Sequence, residues 1–185
     1  LGNRDVLLLC ACQHQQKGLV EMLIRKGADV NSKAWGEWDA PSLEAVWSGL
    51  GSKTPDIPKV IAILKLLLDN GANLDMKDNS GTSLLHYVCD NADLTKLLLD
   101  GGANPNIRTR DGDTPLHLVA DKGNTAVAQL LLSRGADVNA KNSYGNTPLS
   151  AAENLSDKNR FGDTRKTPLT PEIKAAKKEI AKLLR

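Results

Sequence analysis

Four copies of one short tag constrain this chain more than any other feature. Gly-Ala-Asp/Asn-x-Asn/Asp occupies 27–31, 71–75, 102–106 and 135–139. The tag glycines are separated by 44, 31 and 33 residues. A glycine just past the last apolar position of a helical pattern is suited to the left-handed C-cap. Its near-regular return therefore marks the same helix end in successive copies of one unit.

The stretch from Asp111 to Asn139 shows the whole unit. Asp111-Gly112 predicts a tight turn, because glycine accepts positive φ without strain. Thr114 predicts an N-cap, with Pro115 at the first helical position, where a missing N–H loses nothing. Leu116, Val119 and Ala120 fall on one stripe of a short helix. Gly123 and Asn124 break it. Val127, Leu130 and Leu131 form the stripe of a second helix, closed by Gly135. The order is turn, helix, turn, helix. Such a unit cannot bury its apolar face alone, so it needs neighbours.

With a period near 33 and Thr114-Pro-Leu-His117 inside the unit, the sequence resembles the ankyrin-repeat family. The resemblance covers nearly the whole chain and divides it into five units, at about 1–33, 34–77, 78–108, 109–141 and 142–185. It implies one all-α domain, a solenoid of stacked helix-turn-helix units with hairpin-like fingers along one edge. It also implies that His86 and His117, fourth in their motifs, tie one finger to the next. In the fifth unit Ser150 takes that place. Leu1 falls inside a unit and Arg185 ends a helical pattern, so we expect a segment of a longer protein.

Composition supports helix-on-helix packing. Aromatic residues are only 3% of the 185, and no apolar run is long enough for a membrane span. Cys10, Cys12 and Cys89, without a secretory signal, point to reduced thiols and an intracellular protein. Cys10-Ala-Cys12-Gln-His14 invites a metal reading. However, Cys12 and Cys89 both align with the small-residue position that Ala152 fills in the last unit, which predicts buried thiols. No metal or cofactor is expected. No phosphate loop, His-Glu-x-x-His, nucleophile elbow or Cys-x-x-Cys is present, which argues against an enzyme.

The units differ where function would be written. The second is eleven residues longer than 33. The excess is divided between a finger at 34–40 and a predicted loop at 49–58. All three tryptophans fall here. Trp47 is expected to pack beneath that loop, whereas Trp35 and Trp38 stand on a turn, where exposed indoles are typical binding anchors. The helix after the loop is predicted over 59–70, with Val60, Ile63, Leu64 and Leu67 inward. The third unit is shortened near 91–93. The fifth is interrupted over 155–171 and resumes as a helix over 172–185, with Ile173, Ala176, Ile180 and Leu183/Leu184 inward and Lys174, Lys177, Lys178 and Lys182 outward. Residues 155–185 carry nine basic and four acidic side chains, a net of +5, against +2 for the whole chain.

These features point to recognition of another protein or peptide through fingers and groove. Preformed helices lose little entropy on binding. The residues expected at the contact are Trp35, Glu37, Trp38, Asn79, Ser80, Asp90, Asn91, Arg110, Asp111, Asp113, Lys122 and Tyr144. The protein is expected to be monomeric, and nucleic acid is disfavoured because the basic helix lacks interleaved aromatics. Two alternatives stay open. One is an aromatic-stacking module that senses small ligands or nucleic acid. The other is a docking arm of a larger enzyme or channel.

Overall fold

The computed structural model describes residues 3–32, 48–50, 56–78, 80–154 and 169–185. Among them are nine helices and one isolated antiparallel bridge, Lys77 to Ser83. They fall into two compact units, Leu1–Tyr87 with Asp100–Ala103, and Val88–Leu99 with Asn104–Arg185. The division passes through the third repeat.

The first unit holds α1 (Asn3–Gln13), α2 (Lys17–Arg25), α3 (Ile57–Asp69) and the short α4 (Leu84–Tyr87). Leu8, Ala11 and Cys12 of α1 and Val20 and Leu23 of α2 close on Ile63 and Leu67 of α3. Val60, Ile63, Leu64 and Leu67 are all fully buried, as their spacing predicts. The predicted loop over 49–58 is shorter at both ends. Residues 48–50 are helical, and α3 begins at Ile57 because the Asp56 carboxylate accepts from Lys59 N–H at 3.1 Å. Gly49 is where it is because of α3, not to make a loop. A Cβ there would lie 2.2 Å from Val60 Cγ2.

The second unit holds α5 (Ala92–Asp100) except its last residue, then α6 (Pro115–Lys122), α7 (Thr125–Ser133), α8 (Pro148–Glu153) and α9 (Pro171–Leu183). Ala92 and Asp93, expected in a turn, already belong to α5. The thiols of Cys12 and Cys89 are buried at the small-residue position, as expected, with Cys89 Sγ 3.8 Å from the Pro115 carbonyl.

The recurring tag does more than end helices. At 27, 71 and 135 the glycine has φ near +80°, and the following alanine N–H reaches back five residues, as in Ala136 to Leu131 O at 3.0 Å. Its last asparagine is also a clamp. Asn31 donates to Gly71 O at 2.9 Å and accepts from Asn73 N–H at 2.7 Å in the first unit. Asn106 does the same to Gly135 O and Asp137 N–H in the second.

The last helix departs from the sequence expectation. Lys177, expected in solvent, is fully buried. The helix presents Lys177, Ile180, Ala181 and Leu184 inward, and Leu183 is 40% exposed. Lys177 Nζ lies 3.0 Å from Asp121 O and 3.2 Å from Asp121 Oδ1. The aliphatic stem packs while the ammonium meets a carboxylate and the negative C-terminal end of α6. Gly123 completes the contact. A Cβ there would come within 3.1 Å of Ile173 O.

Candidate functional site

The fourth and fifth fingers lie wholly in the second unit and are the best-defined candidate surface. Finger four turns on a bond from Thr109 N–H to Asp113 O at 3.0 Å, and finger five on one from Asn142 N–H to Asn146 O at 3.0 Å. Gly112 has φ +78°, and a Cβ there would lie 3.0 Å from Ser143 N. Only glycine suits that turn and lets finger five approach so closely.

Four hydrogen bonds then fasten the pair. Ser143 N–H donates to Asp111 O at 2.8 Å, and Asn142 Nδ2 to Asp113 Oδ1 at 2.8 Å. Arg108 Nη1 bonds Lys141 O at 2.7 Å as well as Gly112 O at 3.0 Å. The fourth bond comes from His117. Its Nδ1 accepts from Thr114 N–H at 3.1 Å, and its Nε2 lies 3.0 Å from Asn146 O, which can only accept. Together these contacts require the neutral ring with its proton on Nε2. The expected tie between fingers is thus present at His117. Ser150 keeps only the local half, accepting from Thr147 N–H at 3.0 Å and donating to Thr147 O at 2.7 Å.

This framework decides which side chains reach solvent. Arg110, Asp111 and Tyr144 do, and Tyr144 is 57% exposed. Asp113 does not. Expected among the contact residues, it is 1% exposed, because Asn142 holds its carboxylate inside. Lys141, not singled out from sequence, is exposed on finger five, and among the described residues neither it nor Arg110 makes an ion pair. Beneath the finger is a recess of about 160 Å³ lined by His117, Asn142, Asn146, Ser150, Ala151 and Asn154. A second recess, of about 310 Å³, lies between α8 and α9. Two of its cations are already engaged, Arg185 with Glu153 at 2.6 Å and Lys182 with Glu179 at 3.3 Å.

The other expected contact residues are divided between scaffold and surface. Lys122 Nζ pairs with Asp90 Oδ2 at 2.6 Å, both largely exposed, so the pair contributes little to stability. Asn91 is spent on the scaffold, its Oδ1 accepting from Leu94 N–H at 2.9 Å to cap α5. In the first unit Ser80 is exposed on finger three and donates to Asp78 Oδ1 at 2.6 Å. Asp78 Oδ2 accepts from the Tyr87 hydroxyl. Partial burial works against ionisation of Asp78. The hydroxyls of Ser80 and Tyr87 and the amides of Thr82 and Ser80 outweigh it and hold the carboxyl below its ordinary value. Burial and the adjoining Asp78 push the Tyr87 phenol up. Trp35, Glu37, Trp38, Trp47 and Asn79, with the 51–55 and 155–168 segments, lie outside the described residues.

Comparison with known families gives two matches. The family model described as Ankyrin repeats (3 copies) matches residues 59–142 and 90–159, and the one described as Ankyrin repeat matches residues 3–35. No curated protein matches the sequence. Among the described residues no helix is long and apolar enough to cross a membrane.

Proposed function

Because the chain belongs to the ankyrin-repeat family, all-α solenoids that generally serve as protein–protein interaction modules, we propose that it binds a partner protein or peptide through its fingers and groove. The observation that carries this reading is the fastened pair of fingers four and five, with Arg110, Asp111 and Tyr144 directed outward. Hydrogen bonds already fix the backbone, so little entropy remains to be lost on binding. Arg and Tyr are residue types that anchor interfaces. Asp90 and Lys122 extend the polar part of this proposed surface, and Trp35 and Trp38 are proposed as further anchors and Glu37, Asn79 and Ser80 as further polar contacts. Asp113 and Asn91 are withdrawn, since both carboxylate and carboxamide are committed within the fold.

The test compares proteins captured by the wild-type chain, by Arg110→Ala/Tyr144→Ala and by Trp35→Ala/Trp38→Ala. Each double variant is expected to lose about 2 kcal/mol or more of affinity for a true partner, roughly thirtyfold. An unchanged unfolding midpoint shows that the fold is intact. Equal capture by all three chains would remove the fingers from the site.

A further inference from the structure

The accessible charges of fingers four and five differ from those their sequence implies. Residues 108–113 hold two arginines and two aspartates, a neutral set. Folding puts Asp113 out of reach of a partner, since its carboxylate is buried and bonded to Asn142. What remains at the surface is Arg108, Arg110 and Lys141 against Asp111. Arg108 is turned onto two main-chain carbonyls. Arg110 and Lys141 make no ion pair among the described residues. At the last helix Lys177, Lys182 and the following Arg185 are each matched by a carboxylate, whereas Lys174 and Lys178 make no ion pair among the described residues. The finger edge of the second unit therefore presents Arg110 and Lys141 as exposed cations without an ion pair among the described residues, while the fold withholds one nearby carboxylate from contact.

A polar recess and an aromatic ring adjoin it. Asn146 lines the recess below finger five, and its carboxamide has no hydrogen-bond partner among the described residues. Its own main chain is already used, the N–H by Asn142 Oδ1 and the C=O by His117 and Asn142. A free carboxamide offers both N–H donors and a carbonyl acceptor, so it can meet the C=O and N–H of an extended main chain. Tyr144, 57% exposed on the same finger, offers a ring to an apolar side chain.

We infer that fingers four and five take an extended acidic segment of a partner protein, with its carboxylates at Arg110 and Lys141, its main chain at Asn146 and an apolar side chain on Tyr144. This rests on the proposed binding function and adds the chemistry of the partner. Two exposed cations on a hydrogen-bonded backbone select carboxylates by complementarity and accelerate encounter. Exposed charges are screened over about 10 Å at 0.1 M salt, so the interaction weakens as ionic strength rises.

The test is fluorescence anisotropy on the full chain with three labelled probes: a peptide of alternating Glu and Leu, the same peptide with Gln for Glu, and a single-stranded oligonucleotide of equal charge. The acidic peptide is expected to bind at least about tenfold more tightly than the Gln peptide, and raised salt should narrow the gap. Arg110→Glu/Lys141→Glu should abolish that preference, and Asn146→Ala should weaken both peptides. Lys26→Glu/Lys65→Glu, which changes net charge equally on exposed residues elsewhere, should leave the preference intact. Equal binding of the two peptides, equal loss in the control variant, or tighter binding of the oligonucleotide would each overturn the inference. If the Arg110→Ala/Tyr144→Ala variant still loses captured proteins while the acidic peptide shows no preference, the acidic partner falls and the binding function stands.

Discussion

Removing Asp121 should harm this protein more than removing the lysine it serves. Lys177 is fully buried, and its ammonium meets the carboxylate and carbonyl of Asp121 at 3.2 and 3.0 Å. Asp121→Ala takes the carboxylate away from that buried charge. Losing one partner of a buried pair costs about 3–5 kcal/mol. Asp121 is itself 30% exposed. The retained carbonyl at the end of α6 also keeps part of the attraction, which brings the expected loss to about 2–3 kcal/mol. Lys177→Met keeps the packed stem and removes the charge, while Asp121 can turn to water. That change should stay within about 1 kcal/mol of wild type, because the desolvation of the ammonium disappears with its bonds. Adding Lys177→Met to Asp121→Ala should recover most of the loss. Thermal and urea unfolding followed by circular dichroism measure all three variants. At this chain length the Asp121→Ala midpoint should fall by roughly 5–10 °C. If Lys177→Met proves as harmful as Asp121→Ala, or if the double variant shows no recovery, the buried ammonium does not depend on Asp121 as argued.

Three further outcomes follow from the same geometry. Gly123→Ala should destabilise by about 1–3 kcal/mol, since it forces a side chain to φ +80° and against the Ile173 carbonyl, and hydrogen exchange should rise mainly in α9. Asp78 has its folded pKa below the unfolded one, so its contribution is fully present above the unfolded value and is lost as pH falls through the folded value. Unfolding measured from about pH 6 down to about pH 3 should show stability falling, and Asp78→Asn should flatten that fall. A slope unchanged by the substitution would remove Asp78 as its source. Burial pushes the Cys89 thiol up to about 12, and Cys12 is fully buried, whereas Cys10 is half-buried. Alkylation of the native chain near pH 8 should label Cys10 alone, and Cys12 and Cys89 only after unfolding, as read by mass spectrometry.

The parts of the fold visible in the sequence are those set by local rules. Thr114-Pro115 starts a helix, glycines at 27, 71, 102 and 135 take positive φ, and the α3 stripe is buried as spaced. Each depends on residues within a turn or two of one another. Asn31 and Asn106 were visible as members of the tag, but their clamps join one tag to the next, and only their recurrence at its fifth position hinted at it. Asn91 in a shortened turn was a legible N-cap that a groove position concealed.

What tertiary structure alone decided is the fate of particular polar side chains. Periodicity placed Lys177 on the outer face of its helix. A rotation of the helix toward Gly123 placed it inside, because a long aliphatic stem can pack when its charge finds a carboxylate. Charge counting set two arginines against two aspartates in finger four, and the burial of Asp113 under Asn142 leaves only one of those carboxylates accessible. The sequence by itself determined the repeat, its helix ends and most of its apolar stripes, because these follow from backbone preferences and spacing. Which charges remain in solvent depended on groups 29 and 56 residues apart in the chain coming within hydrogen-bond distance. No local pattern carries that information.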